Sequence, residues 1–388
     1  MEAVLERVRM NQKNLKIDWR SYRKEIIPIA VIILCAVVFD AWSGGSFLTP
    51  RNLSNLSRQI CVNLTLAVGM TLVILTSGID LSVGSVLALS GMAAAISQVN
   101  WHWAEMGMTG AILSFSLALA VGGLTGATTG LAISRFKITP FIVSLGMMVI
   151  ARGLTLIVSS AQAVAPLGET LGRLSSDYMS PESSRLLLLL IGGGVAILLL
   201  SQWVKRSVPY ADILKTLLST FALCGGGIAI FCNYRGIPYM VFISVLCALG
   251  GIFVLKYTRF GRFIYAIGGN REAAELSGVP VAKTLWLTYF LMGILAGLAG
   301  VMDTARVNGA VPSAGELGEL DAIAAVVIGG TSLMGGMGTI GGTVLGVLIM
   351  GILNNGMSLV GVSEHYQKVF KGIVIILAVY LDLRSKKK

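Results

Sequence analysis

Charge is what this sequence has least of. Only 13% of its 388 residues are Asp, Glu, Lys or Arg, about half the ~25% of a soluble chain. That density cannot cover the surface of a water-soluble globule of this size, which excludes an ordinary cytosolic enzyme. Proline is scarce at 9 residues, and the 47 glycines carry no collagen period, so a fibrous or disordered chain is excluded as well. Cysteine is sparse. Cys35, Cys61, Cys224, Cys232 and Cys247 fall in apolar stretches, with no C-x-x-C pair and no neighbouring histidine. They read as small buried hydrophobes, not as disulfide or metal partners. The two histidines, His102 and His365, fall in separate loops. Also missing are G-x-x-x-x-G-K-[ST], G-x-S-x-G and H-E-x-x-H. The chain therefore offers no phosphate loop, nucleophile elbow or zinc helix, and no cofactor is expected.

What the sequence has in abundance is apolar length. Hydrophobic residues make up 55%, gathered in stretches near 26–42, 60–77, 79–99, 108–133, 138–160, 186–204, 213–232, 238–255, 284–305, 320–334, 339–360 and 369–383. About 20 apolar residues cross a bilayer as a helix. Transmembrane barrel strands would need ~10 alternating residues, and these stretches do not alternate. The fold class is therefore all-α: a polytopic transmembrane helical bundle of about ten to twelve crossings. Glycine suits such a bundle because it lets helix backbones approach closely.

The net charge is +11, but its placement matters more than its sum. Residues 1–24, 134–137, 205–215, 256–283 and 384–388 hold 21 of the 30 Lys and Arg. These segments share one side if the stretches cross in alternation, and the positive-inside rule makes that side cytosolic. Both termini come out cytosolic, the partner of the apolar surface is the lipid bilayer, and nucleic acid is excluded. The start lacks a signal-peptide pattern, so 26–42 reads as a retained first span. The organisation is a charged cytosolic N-terminal segment 1–25, a membrane domain 26–383 enclosing a cytosolic loop 256–283, and a basic cytosolic tail 384–388.

Two glycine-rich interruptions stand out, at Ser77-Gly78-Ile79-Asp80 with Gly84, and at Gly329-Gly330 with Gly335-Gly336-Met337-Gly338. The surrounding segments, 74–85 and 328–339, echo each other in Gly and Ser/Thr content. Transporters often place discontinuous helices at a substrate site. The second region reads as two crossings or as a broken, partly re-entrant segment. The polar inventory of the spans is thin: Asp40, Asp80, Arg152, Asp303, Asp321 and Lys371, with Asn63 and Asn354-Asn355. Asp40, Asp303 and Lys371 lie near span ends and read as interfacial. Arg152 lies deep and is costly there unless satisfied. Asp80 or Asp321 are its candidate partners. Asp80 and Asp321 either cap half-helix N-termini or line a polar passage.

The loop 256–283 contains one short helix by local rules. Asn270 is a good N-cap, Glu272 suits the first turn, and Ala273, Ala274 and Leu276 are helix formers. Gly278 supplies a left-handed stop with Pro280 beyond it. Gly268-Gly269 reads as a flexible or tight approach. Such a helix suits docking into a groove of a cytosolic partner, or serves as a surface connector.

These residues carry a resemblance. Phe260 to Thr284, the run from Ala67 through Ile79-Asp-Leu-Ser-Val-Gly-Ser, and Glu319-Leu-Asp-Ala-Ile-Ala-Ala-Val-Val-Ile-Gly-Gly-Thr-Ser-Leu resemble the permease subunit of bacterial monosaccharide ABC importers, over residues 50 to 383. The phrases Tyr265 to Gly278 and Asn355-Gly-Met-Ser are most similar to the xylose-type permease. The resemblance implies a bacterial inner-membrane protein, not an enzyme, that acts as a homodimer. Two copies of a cytosolic ATPase would bind it, and a periplasmic sugar-binding protein would deliver the cargo. It places ATPase coupling on Gly268, Gly269, Asn270, Glu272, Ala273, Ala274 and Gly278. It maps the Asp80 and Thr331 segments onto the breaks near the pathway, and the candidate pathway residues are Asn63, Asp80, Ser82, Arg152, Asp321, Thr331 and Ser332. A sugar is neutral, so hydroxyl and amide partners suit it better than fixed charge. An ion-coupled secondary sugar transporter is the alternative, with Asp80 or Asp321 as its titrating carboxylate.

Overall fold

The computed structural model describes residues 19–204 and 210–385, and every described element is helical apart from isolated bridges. The N-terminal segment 1–25 and the tail 384–388 lie largely outside the described residues. In chain order the helices are α1 (Trp19–Trp42), α2 (Pro50–Leu75), α3 (Val83–Val99), α4 (Met108–Arg135), α5 (Pro140–Val158), α6 (Glu169–Ser176), α7 (Pro181–Val204), α8 (Tyr210–Gly227), α9 (Tyr239–Tyr257), α10 (Arg259–Gly269), α11 (Arg271–Leu276), α12 (Val281–Val307), α13 (Gly318–Ile328), α14 (Ile340–Leu359) and α15 (Glu364–Ser385).

Among the described residues seven helices are long and apolar enough to span a membrane: α2, α4, α5, α7, α9, α12 and α14. Three shorter apolar segments accompany them, Ile27–Trp42, Val83–Val99 and Thr216–Cys232. The chain is a multi-pass protein of the inner membrane. The expected stretch 320–334 is settled by length. Its helix α13 has 11 residues, about 16 Å at 1.5 Å each, roughly half the ~30 Å hydrocarbon core. It is a half-helix that stops at the second glycine-rich break. The second span starts ten residues earlier than its apolar run, because Thr49 and Pro50 form a cap-and-first-turn pair. The Thr49 hydroxyl accepts from the Asn52 N–H at 3.4 Å, and proline at the first helical position needs no partner for its nitrogen.

The core is built around α2, α3 and α12. From Leu64 to Leu75 every residue of α2 is buried. Helix α12 lies between α3 and α4 through glycine contacts. A Cβ on Gly122 or Gly126 would run into the α12 backbone at Gly293, and one on Gly297 would meet the Ala118 carbonyl. Spaced at i, i+4, these glycines bring α4 and α12 into close approach, where packing and not hydrophobicity holds helices together. Helices α5 and α7 lie at the periphery, with only 17% and 11% of their apolar windows buried. Outside the bundle, Val164 pairs with Ala310 through two backbone bonds of 2.9 Å, and Gln98 ties α3 to α4 by donating to the Ser114 hydroxyl at 2.8 Å.

Candidate functional site at the two glycine-rich breaks

The short helix expected in the loop is α11, and its caps are those read from sequence. Asn270 has extended backbone and its Oδ1 accepts from the Ala273 N–H at 2.9 Å. Gly278 sits at φ +81° and ends the turn. Most of the helix is exposed, Leu276 at 86%. Ala274 is the exception at 5% exposed, packed into the main core. It therefore anchors α11 and offers nothing to a partner, whereas Glu272 and Ala273 face outward.

A second helix precedes it. Thr258 caps α10, its hydroxyl accepting from the Gly261 N–H at 3.1 Å, and Gly261, Ile264 and Ile267 form its buried stripe. Gly268 and Gly269 are therefore the last turn of a helix and not a flexible approach to one. They also differ from each other. A Cβ on Gly268 would overlap the Leu75 carbonyl and the Gly336 N–H, while Gly269 has open space beside it.

That overlap marks the centre of the site, where the loop and both breaks meet. The Gly336 N–H donates to the Leu75 carbonyl at 3.0 Å. The Ser77 hydroxyl donates to the Met334 carbonyl at 2.7 Å, with the Gly268 carbonyl at 3.4 Å. The Tyr265 hydroxyl of α10 donates to the Gly338 carbonyl at 2.8 Å. Ser77 takes a left-handed conformation at φ +62°, and Gly335 and Gly336 lie at φ +83° and +70°, values that glycine adopts at no steric cost. The two echoing segments thus share one form, helix, break and helix, and pack against each other. One turn further in, the Thr71 and Thr343 hydroxyls lie 2.7 Å apart.

The charged residues of the inventory are all engaged, in places not with the expected partners. The Asp80 carboxylate accepts from the Ser82 N–H at 2.9 Å and its hydroxyl at 2.6 Å, so it fastens the turn before α3; the N-cap of α3 is Ser82, which makes no side-chain cap bond. Arg152 pairs with neither Asp80 nor Asp321. Its guanidinium donates to the carbonyls of Pro312 and, at 2.9 Å, of Ala314, because residues 308–317 dip toward it and present bare carbonyls. Asp321 pairs instead with Lys371 of α15 at 2.8 Å and accepts from Asn354 at 3.1 Å. Lys371 is thus an internal partner rather than an interfacial charge. Asp303 holds Arg306 at 2.8 Å, and Asp40 accepts from the Leu48 N–H at 2.9 Å. At the rim, Glu316 pairs with Lys368 at 2.9 Å; that hydrogen bond holds its carboxyl below the usual carboxylate range.

Residues 52–379 match the family described as branched-chain amino acid transport system / permease component. The chain belongs to this permease family. It is 37% identical over 380 residues to the xylose transport system permease protein XylH of Escherichia coli K12, covering 95% of this chain and 94% of that one. It is 39% identical over 369 residues to the ribose import permease protein RbsC of the same organism, covering 95% of each. RbsC of Bacillus subtilis is 37% identical over 383 residues, covering 98% of each. No solved structure matches significantly. The family description speaks of amino acids and these relatives' names of sugars, so membership alone leaves the cargo open. It makes the chain a transport component and not an enzyme.

Within this permease the expected pathway residues do not form one cluster. Asp80 and Ser82 sit at the first break, Thr331 and Ser332 at the second, all buried. Ser332 shapes its own turn, its hydroxyl accepting from the Met334 N–H at 3.1 Å. Asn63 lies in α2, 13 residues before the break, about 20 Å along the helix, Arg152 lies in α5 against the carbonyls of Pro312 and Ala314, and Asp321 lies in α13. Sequence reasoning missed three residues. Tyr265 and Ser77 make the joint, and Glu319, 8% exposed, turns its carboxylate toward Gly84. Ser77 was read only as part of the first break and Tyr265 only within the loop phrase, while Glu319 is an acidic residue in the first turn of a half-helix.

Proposed function

We propose that this chain is the membrane-spanning permease subunit of an ABC importer for a monosaccharide. D-xylose is the first cargo to test and ribose the second. Two copies form the pathway, a periplasmic binding protein delivers the sugar, and two copies of a separate cytosolic ATPase drive the cycle. The relatives support the sugar class, since the chain covers nearly their whole length. Both termini and the loop 256–283 lie in the cytosol on this reading, in keeping with the basic segments.

One observation carries the mechanism: the loop that would meet the ATPase is hydrogen-bonded to both glycine-rich breaks. An ATPase docked on Glu272, Ala273 and Leu276 would move α11. Ala274 ties α11 to the core, so the displacement reaches α10. From Tyr265 and Gly268 it passes to Gly338, Leu75 and Ser77. The two breaks then shift as one body, and the half-helix α13 moves relative to α3 and α14. Backbone carbonyls and hydroxyls line this region, which suits a neutral polyol. Affinity need not reside here, because the delivering protein supplies it.

The test is uptake of labelled xylose and ribose by cells lacking other pentose systems and supplied with this permease, its ATPase and its binding protein. Accumulation of a pentose that ceases when ATP is depleted, and persists when the proton gradient is collapsed, supports the reading. Accumulation that follows the proton gradient and ignores ATP supports the ion-coupled alternative.

A further inference from the structure

At the end of the bundle away from the 256–283 loop, two arginines share one tyrosine ring. The Arg58 guanidinium lies 5.9 Å from the centre of the Tyr178 ring. That of Arg235 lies 5.9 Å from the same centre and 5.7 Å from the centre of Tyr234. The two rings meet edge to face at 6.3 Å. Arg58 lies 17 residues before Leu75 in α2, about 25 Å from the joint at 1.5 Å per residue. Arg235 lies just before α9, whose 19 residues extend about 28 Å before the loop begins. Backbone bonds fix the setting. The Met179 N–H donates to the Ile237 carbonyl at 2.9 Å, and the Tyr239 N–H to the Asp177 carbonyl at 3.3 Å. Gly236 turns at φ +97° against the Met179 carbonyl, where no Cβ fits.

A ring face attracts each cation but neutralises neither. Among the described residues, neither arginine takes part in an ion pair. Arg58 donates only to neutral oxygens, Asn55 Oδ1 and, at 3.4 Å, the Ser175 carbonyl, and its Nε has no partner there. Asp177, beside Tyr178 in the chain, accepts from the Ser176 hydroxyl at 3.3 Å instead. Arg58 is half-buried and Arg235 exposed. Helix α2 is central, with 78% of its apolar window buried. Its far end therefore opens along the membrane normal, where a soluble partner approaches, and not onto the lipid perimeter.

We propose that Arg235, reinforced by the charge of Arg58, is a docking point for carboxylate side chains on the sugar-binding protein that delivers the cargo. This rests on the function proposed above, which places this end of the bundle outside. A guanidinium's planar fork meets a carboxylate through two parallel hydrogen bonds. An acidic side chain set against Arg235 also relieves the repulsion between the two cations. A basic partner surface would be repelled, and an apolar one would strip water from cations without replacing it.

The test has two parts. In spheroplasts, Arg235→Cys should react with a membrane-impermeant maleimide added outside, above the background of the wild-type chain. Added binding protein loaded with xylose or ribose should slow that reaction at least about fivefold. In nanodiscs, the permease with its ATPase is titrated with the same loaded protein. Arg235→Gln should weaken binding by about tenfold and flatten its dependence on salt, with an unchanged melting temperature because the side chain is exposed. Arg58→Gln should weaken it by less. Arg173→Gln is the control, since Arg173 is already paired with Glu169 at 2.6 Å, and it should bind as the wild type does. Absence of protection, or unchanged binding by Arg235→Gln, overturns the docking point and leaves the proposed function standing. So does a loss of binding seen only when the nanodiscs contain anionic lipid, which assigns the arginines to headgroups. A wild-type permease that binds no sugar-loaded protein overturns both.

Discussion

At the scale of residues, neighbouring glycines do different work. Gly268→Ala would push a methyl group into the Leu75 carbonyl and the Gly336 N–H. Overpacking of this kind costs about 1–3 kcal/mol, and here it falls on the joint itself. We expect uptake to drop at least tenfold with a lowered melting temperature. Gly269→Ala meets nothing and improves helix propensity, so it should preserve uptake and stability. Parallel transport assays and thermal unfolding of the two variants check this. The Asp321–Lys371 pair makes a second prediction. Its side chains are 10% and 19% exposed, so Lys371→Ala leaves a buried carboxylate without its cation and with only the Asn354 amide beside it, at a cost of about 3–5 kcal/mol. The double variant Asp321→Asn with Lys371→Met should recover most of that loss, measured as a double-mutant cycle on unfolding. Of these charged residues, sequence placed Arg152 deep in its span and read Lys371 as interfacial. It could not show which of them meet, because pairs 50 residues apart are decided by packing, and Arg152 turned to carbonyls that no residue type advertises.

At the scale of elements, the loop 256–283 divides into an anchored half and an exposed half. Helix α11 was legible because its signals are local: Asn270 at the cap, Glu272 in the first turn, Gly278 and Pro280 at the stop. Helix α10 was not, since its Arg, Phe and Tyr content reads as a basic surface loop until the buried stripe of Gly261, Ile264 and Ile267 is in view. The division separates two substitutions that sequence alone treats alike. Ala273→Trp enlarges an exposed position and should abolish ATPase binding and uptake while leaving the melting temperature unchanged. Ala274→Trp enlarges a position that is 5% exposed and should lower expression and melting temperature. Co-purification with the ATPase, read beside thermal unfolding, distinguishes them. Tyr265→Phe isolates the link from α10 to the second break. It keeps the ring and loses one hydrogen bond to Gly338, so ATPase binding should persist while uptake falls severalfold.

At the scale of the molecule, composition alone gave the class: low charge, long apolar stretches and abundant glycine leave a helical membrane bundle as the only compatible solution. The spans were legible to within a few residues where apolar runs end in charge, as at Arg135, and less so where a cap sets the start, as at Pro50. The joint between the breaks and the loop was beyond sequence reading. It rests on backbone carbonyls from three regions far apart in the chain, and carbonyls carry no sequence signature. On the proposed reading the chain is a passive gate, moved at this joint by a separate motor. Purified permease in liposomes, with labelled pentose outside, tests this most directly. Alone, under a proton gradient, it should accumulate no sugar, and with its ATPase, binding protein and ATP it should concentrate sugar severalfold. Uphill accumulation by the permease alone would contradict the account.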